Sequence, residues 1–147
     1  MPNEMNILLV EDSDLDAMIL ERTLKRMDLP ASIVRARDGI EALQILEGEA
    51  PNALTDGPFF ILLDINMPRM NGHDFLQALR SNESISDHLV FMFTTSDNPT
   101  DVSLAYKRNV SGYFVKPQGS AELKNVLTSL HKFWEICIPP IPSAQRA

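Results

Sequence analysis

The chain lacks much of what several protein classes require. It has one cysteine, Cys137, so no disulfide framework can form within it, and a reducing compartment is its natural setting. Basic residues are outnumbered, 13 Lys and Arg against 20 Asp and Glu, which leaves a net charge of −7. Nucleic-acid affinity rests mainly on Lys and Arg neutralising phosphates, so no nucleic-acid partner is expected, and a basic output domain has no residues to be built from. No apolar run approaches the ~20 residues that span a bilayer. The opening Met1-Pro2-Asn3-Glu4 has neither a basic stretch nor an apolar segment behind it, so no signal peptide is expected. A cytoplasmic protein without membrane contact is the expectation. Internal repeats and low-complexity stretches are also absent.

What is present is enough apolar material, 44% of 147 residues, for one core in one domain. Four short apolar runs stand out: 6–10, 59–63, 89–93 and 112–115. None alternates polar with apolar, the pattern of strands buried on both faces of a parallel sheet. A fifth run, Ser32 to Ala36, is more mixed and suits an edge. Between the runs the apolar spacing becomes helical. Ala17, Leu20, Leu24 and Met27 form one stripe; Ile40, Leu43 and Leu46 a second; Phe75, Leu76 and Leu79 a third, after Gly72. Val102, Ala105 and Tyr106 form a fourth, and Leu123, Val126, Leu127, Leu130 and Trp134 the longest. Ser13 or Asp14, Asp38, and Asp97 or Asn98 are placed to cap helices, with Pro99 in a first turn and Ser120 or Gly119 opening the last helix. A strand-helix unit repeated five times implies an α/β fold, doubly wound, with a five-stranded parallel sheet and helices on both faces.

The C-terminal ends of parallel strands share one edge, where ligands bind. Glu11 and Asp12 follow the first strand, Asp64 the third, Thr94 and Thr95 the fourth, and Lys116-Pro117 the fifth. Each has an ordinary explanation alone: a helix cap, a first-turn charge, a strand-end hydroxyl, a loop start. Their conjunction at one edge does not. Clustered carboxylates repel one another unless a cation is present, and Mg²⁺ is typically held by one or two carboxylates and a phosphate oxygen. A hydroxyl and a fixed ammonium serve a phosphoryl group better than a bare metal. The set reads as a site that places a phosphoryl group beside Mg²⁺, with a carboxylate able to attack phosphorus.

The residues 8–12 (Leu-Leu-Val-Glu-Asp), 62–68 (Leu-Leu-Asp-Ile-Asn-Met-Pro) with Asn71-Gly72, 93–96 (Phe-Thr-Thr-Ser) and 112–117 (Gly-Tyr-Phe-Val-Lys-Pro) resemble the bacterial receiver domain of two-component systems. The intervals of 30 residues from Asp64 to Thr94 and 22 from Thr94 to Lys116 are usual for it. The resemblance runs from about residue 5 to 134. It implies a flavodoxin-like (βα)5 fold with strand order 2-1-3-4-5 and a stand-alone response regulator that signals rather than turns over substrate. Asp64 would accept a phosphoryl group from a sensor histidine kinase. Asp12 and Asp64 would ligate Mg²⁺ by side chains, Asn66 by its backbone carbonyl, and Glu11 mostly through water. Lys116 would pair with the phosphoryl group, and the Lys116-Pro117 bond would be cis. Thr94 and Tyr113 would form a switch that reshapes the face built from the fourth helix, fifth strand and fifth helix for an unknown downstream target. Asn66 and Ser96 lie where the family tunes phosphate loss. A phosphate sink or relay intermediate, and a receiver-like module that binds without phosphate, remain alternatives.

Two segments depart from the compact pattern. Residues 48–58 form a long polar loop, expected at the surface near the N-terminal edge of the strands. Residues 135–147 form an apolar, Pro-rich extension beyond a receiver domain of residues 1–134. Phe133, Trp134, Ile136, Ile138 and Ile141 either fold back or pack on a second chain, since such a patch is unusual on a monomer. This resembles the small receivers that work with bacterial phytochrome histidine kinases as homodimers. Two rivals fail on particular residues. A haloacid-dehalogenase phosphatase needs an acid two residues after its nucleophile, where this chain has Asn66. A flavin carrier needs a phosphate-binding loop where this chain has Glu11-Asp12-Ser13-Asp14. His73, His88 and His131 are scattered, and neither a zinc site nor a phosphorelay histidine is assigned to them.

Overall fold

The computed structural model describes residues 4–48 and 57–140. Five units follow one another: β1 Met5–Val10, α1 Asp14–Arg26, β2 Ala31–Ala36, α2 Gly39–Leu46, β3 Phe60–Leu63, α3 Gly72–Ser81, β4 Val90–Thr94, α4 Pro99–Lys107, β5 Gly112–Val115 and α5 Ser120–Ile136. All strand pairs are parallel, in the order β2-β1-β3-β4-β5. The α/β class, strand order and doubly wound architecture expected from the sequence are therefore found.

The apolar runs divide between two cores because successive residues of a strand face opposite ways. Leu8, Val10, Ile61, Leu63, Val90 and Met92 pack with Ala42, Ile45, Phe75, Leu76, Leu79 and Ala105 on one face. Ile7, Leu9, Phe60, Leu62, Phe91 and Phe93 pack with Ala17, Leu20, Leu24, Leu123, Leu127 and Leu130 on the other. Helix starts follow the sequence signals. Ser13, Asp38 and Asn98 accept from backbone N–H groups of Asp16, Glu41 and Thr100, and Pro99 occupies the first turn of α4. Asn71, which the sequence reading passed over, caps α3 through Asp74 N.

Four expectations need correction. β5 was read as buried on both faces, but it is an edge strand and Val115 is 45% exposed. The stripe of α2 is rotated: Ala42 and Ile45 are buried, while Ile40, Leu43 and Leu46 are half-buried, because the edge strand β2 offers less sheet to cover. In α4 only Ala105 is buried and Tyr106 is 50% exposed. Trp134, placed among the interface residues, belongs to the core.

Trp134 is 3% exposed. Its ring lies 5.3 Å from that of Phe60, and its indole N–H donates to the Glu4 carbonyl at 3.2 Å. The last turn of α5 thereby closes over the start of β1. Beyond it, Cys137 adopts an extended backbone and Pro139 and Pro140 follow, so the helix ends at Ile136. Ile136 and Ile138 are 86% and 93% exposed, while Phe133 is 38% exposed and packs edge-on against Phe91. Ile141 and most of the 48–58 loop lie outside the described residues. The described end of that loop is at the N-terminal edge of the strands, where the Asn6 side-chain amide donates to the Pro58 carbonyl at 3.1 Å. No helix among the described residues is long and apolar enough to cross a membrane.

Replacing Trp134 by Ala removes a large buried ring and its hydrogen bond. The expected cost is about 3–5 kcal/mol of unfolding free energy, read from urea unfolding. A cost below about 1 kcal/mol, in the range of surface changes, would put the ring outside the core.

Candidate phosphoacceptor and metal site

Three backbone links help assemble the C-terminal edge. Asp64 N–H donates to the Val10 carbonyl at 3.0 Å, Glu11 N–H to Ala36 at 2.9 Å and Lys116 N–H to Thr94 at 2.7 Å. The residues that leave β1, β3, β4 and β5 therefore start from fixed points. Glu11, Asp64 and Thr94 are buried, and Asp12 is exposed. The carboxylates of Glu11, Asp12 and Asp64 each bring an oxygen within 4.8 Å of the others.

The Lys116 ammonium sits among three carboxylates: 2.6 Å from Glu11 Oε1, 2.7 Å from Asp16 Oδ2 and 3.3 Å from Asp64 Oδ2. Burial works against its charge, but the bonds to Asp16 and Glu11 and the field of Asp64 outweigh it and hold the ammonium above its ordinary pKa. Glu11 is the opposite case. Burial raises it first, the Lys116 bond opposes that, Asp64 adds to the rise, and the result is about 7 against an ordinary 4.5. Asp64 Oδ1 also accepts from Ile65 N–H at 2.8 Å.

The Asp64 backbone is clamped from the far side. Gly72 N–H donates to the Ile65 carbonyl at 2.8 Å. A Cβ on Gly72 would collide with the Asp64 carbonyl oxygen, so only glycine lets α3 start so close to Asp64. Arg69 closes the intervening loop, its Nε 2.6 Å and Nη2 3.1 Å from the two Asp38 oxygens. Burial alone would raise Asp38, but Arg69 and the N–H groups of Glu41 and Ile40 hold it below the usual carboxylate range.

Thr94 is wholly buried, and its hydroxyl accepts from Ser96 N–H at 3.4 Å. A hydrogen-bonded chain runs outward from there. Tyr113 donates its hydroxyl to the Ser96 carbonyl at 2.8 Å, Ser96 Oγ donates to Asp101 Oδ2 at 2.6 Å, and Asp101 Oδ1 lies 3.0 Å from His73 Nε2. The Tyr113 ring is half-buried against the α2–α4 core. Asn66 is exposed, two residues past Asp64.

The structure thus brings Glu11, Asp12, Asp64 and Lys116 together and ties Thr94 to Tyr113 through Ser96. It corrects one further expectation: no peptide bond among the described residues is cis, so Lys116-Pro117 is trans. Trans is the lower-energy isomer of an X–Pro bond, by about 0.5–1 kcal/mol, and in it the lysine already reaches its three partners. Sequence reasoning missed Asp16, which follows the cap candidates Ser13 and Asp14 in the first turn of α1 and whose partner lies 100 residues away. It also missed the Asp101–His73 link, which joins residues 28 apart and has no local signal.

The donor set suits a hard divalent cation: all oxygen, anionic, open on the Asp12 side, with one member whose pKa is raised by burial and by the neighbouring Asp64 charge. It lacks the nitrogen and sulfur ligands of a zinc site.

The response regulator receiver domain pattern matches residues 7–128. The chain belongs to this family, whose members are signalling proteins of two-component systems rather than enzymes in the ordinary sense. It is 30% identical over 128 residues to the response regulator Rcp1 of Synechocystis sp. (strain ATCC 27184 / PCC 6803 / Kazusa), covering 87% of each chain. Its fold superposes on the phosphorylated cyanobacterial phytochrome response regulator RcpA with a TM-score of 0.82 at 28% identity, covering 95% of this chain and 100% of that one. The Mn²⁺-bound form of response regulator Rcp1 gives 0.78 at 28% identity, with 93% and 99% coverage. The chain is thus similar to receivers of phytochrome signalling.

A cation that needs ionised Glu11 competes with the proton that Glu11 holds in the folded state. With its pKa near 7, Glu11 favours the fold fully below about 4.5, and that contribution is lost as pH rises through 7. Mg²⁺ affinity therefore runs the other way. Calorimetric titration should show binding about tenfold weaker at about pH 6 than at about pH 8, and Glu11→Gln should flatten the difference. An equal pH dependence in the variant would assign the proton elsewhere.

Proposed function

We propose that this chain accepts a phosphoryl group on Asp64 from the phosphohistidine of a sensor histidine kinase and passes the signal to a partner protein. The observation that carries this reading is the Lys116 ammonium held 3.3 Å from a clamped, buried Asp64 carboxylate. One Asp64 oxygen attacks phosphorus in line. The bond from phosphorus to the kinase imidazole breaks, and its electron pair stays on the imidazole. Lys116 pairs with the phosphoryl oxygens, and the Thr94 hydroxyl donates to them. Asp12 and Asp64 by side chains, Asn66 by its carbonyl and Glu11 through water would hold Mg²⁺. That ion, when bound, neutralises charge on the transferring group.

The signal leaves through Thr94. Drawing its hydroxyl toward the phosphoryl group pulls on Ser96, whose carbonyl holds Tyr113 and whose hydroxyl holds Asp101 on α4. The face of α4, β5 and α5 shifts between two packings, and a partner reads the change. Similarity to phytochrome response regulators supports a phytochrome-type kinase as the phosphoryl donor. The exposed Ile136 and Ile138 at the start of the 135–147 extension support a homodimer built through it.

Incubation with acetyl phosphate should add one phosphoryl group to the intact mass, only with Mg²⁺ and not in Asp64→Asn. A folded wild-type protein that takes none would favour a module that binds without phosphate. For the dimer, light scattering should give twice the chain mass, falling to one chain mass in Ile138→Asp. A single-chain mass at every concentration of wild type would exclude it.

A further inference from the structure

We propose that Asp16 is a positioning residue for phosphoryl transfer: its carboxylate, freed from capping its own helix, holds the Lys116 ammonium beside Asp64 rather than upon it. The inference rests on the reading of Asp64 as the acceptor.

Asp16 is the third residue of α1, after the N-cap Ser13. In a capping box the acid at this position accepts from the N-cap backbone N–H while the N-cap hydroxyl accepts from the acid's own N–H. Only half of that exchange is present. Asp16 N–H donates to Ser13 Oγ at 3.1 Å, but Ser13 N–H donates to Glu11 Oε2 at 3.2 Å. Glu11 has taken the capping role, and the Asp16 carboxylate lies 2.7 Å from a lysine 100 residues along the chain.

The three distances at the ammonium are unequal. Glu11 and Asp16 hold it at 2.6 and 2.7 Å, and Asp64 receives the long contact of 3.3 Å. An ammonium has three donors: its two short bonds, to Glu11 and Asp16, leave the third, to Asp64, long, and keep the charge where the phosphoryl oxygens will arrive. Glu11 is buried, whereas the Asp16 side chain is 37% exposed. Without Asp16 the ammonium has two outlets. Collapse onto Asp64 shortens the existing 3.3 Å hydrogen bond and ties up a lone pair of the nucleophile, and escape toward solvent removes the cation from the transferring group. Both slow the transfer.

The test compares wild type, Asp16→Asn and Asp16→Glu with acetyl phosphate as donor. At saturating donor and Mg²⁺, Asp16→Asn should lower the phosphorylation rate constant on the order of tenfold. The donor concentration for half-maximal rate should stay within about twofold, since a mere loss of long-range repulsion would move that quantity instead and fade with salt. Asp16→Glu should recover most of the rate. In metal-free, unphosphorylated protein, the Lys116 ammonium proton signal in NMR should be seen in wild type and Asp16→Glu and lost to exchange in Asp16→Asn. An Asp16→Asn rate equal to or above wild type, or an unchanged ammonium signal, overturns the assignment. A wild type that takes no phosphoryl group overturns the reading of Asp64 instead, and the ammonium signal then still decides whether Asp16 holds Lys116.

Discussion

One ammonium allows the carboxylates to share the C-terminal edge of the sheet. Glu11 and Asp64 are both buried, and Asp16 adds a third negative charge beside them. Without Lys116 this edge would hold buried anions with no compensating charge, an arrangement proteins avoid by protonating one member. Glu11 shows how close the balance is, since even with the lysine at 2.6 Å its pKa stands at about 7. The lysine depends in turn on the sheet. Its N–H is fixed to the Thr94 carbonyl, and Thr94 pairs in register with Val115, so β5 must lie beside β4 for the ammonium to reach across to β1 and β3. Strand order and site chemistry are therefore one constraint.

That constraint made much of the site legible in the sequence. Once five strand-helix units are read, residues 11, 12, 64, 94 and 116 must meet, and Glu11, Asp12, Asp64 and Lys116 do. The parts that were not legible share a physical cause. Apolar runs report burial without saying how many faces are covered, so edge strand β5 looked like the central ones. Three-residue stripes in short helices fix the buried face only to within a residue, hence the rotation in α2. Trp134 fitted two patterns at once: it continues the stripe of Leu127 and Leu130, and it opens the apolar tail. The helical periodicity prevailed because a ring one turn beyond Leu130 lands on Phe60. Asp16 was hidden because an acid in the first turn of a helix is ordinary, and only the three-dimensional structure shows its partner 100 residues away.

Two kinds of connection leave the C-terminal edge of the sheet, and they differ in how they respond to charge. Through Thr94 the route is a chain of hydrogen bonds to Ser96, Tyr113, Asp101 and His73, which joins β4, β5, α4 and α3. Such a chain transmits displacement, because each link holds only at one geometry. Through Lys116 the route is ionic and leads to α1 by way of Asp16. An ionic link transmits charge, because its strength changes with any new anion within reach, even before anything moves. Meanwhile the Asp64 backbone is held by Val10 on one side and the start of α3 on the other, where Gly72 leaves no room even for a methyl group. Main-chain movement at Asp64 is therefore the costly response to added charge and side-chain rearrangement the cheap one. The residues free to answer are those whose side chains, not backbones, carry the links: Lys116 toward α1 and Thr94 toward α4.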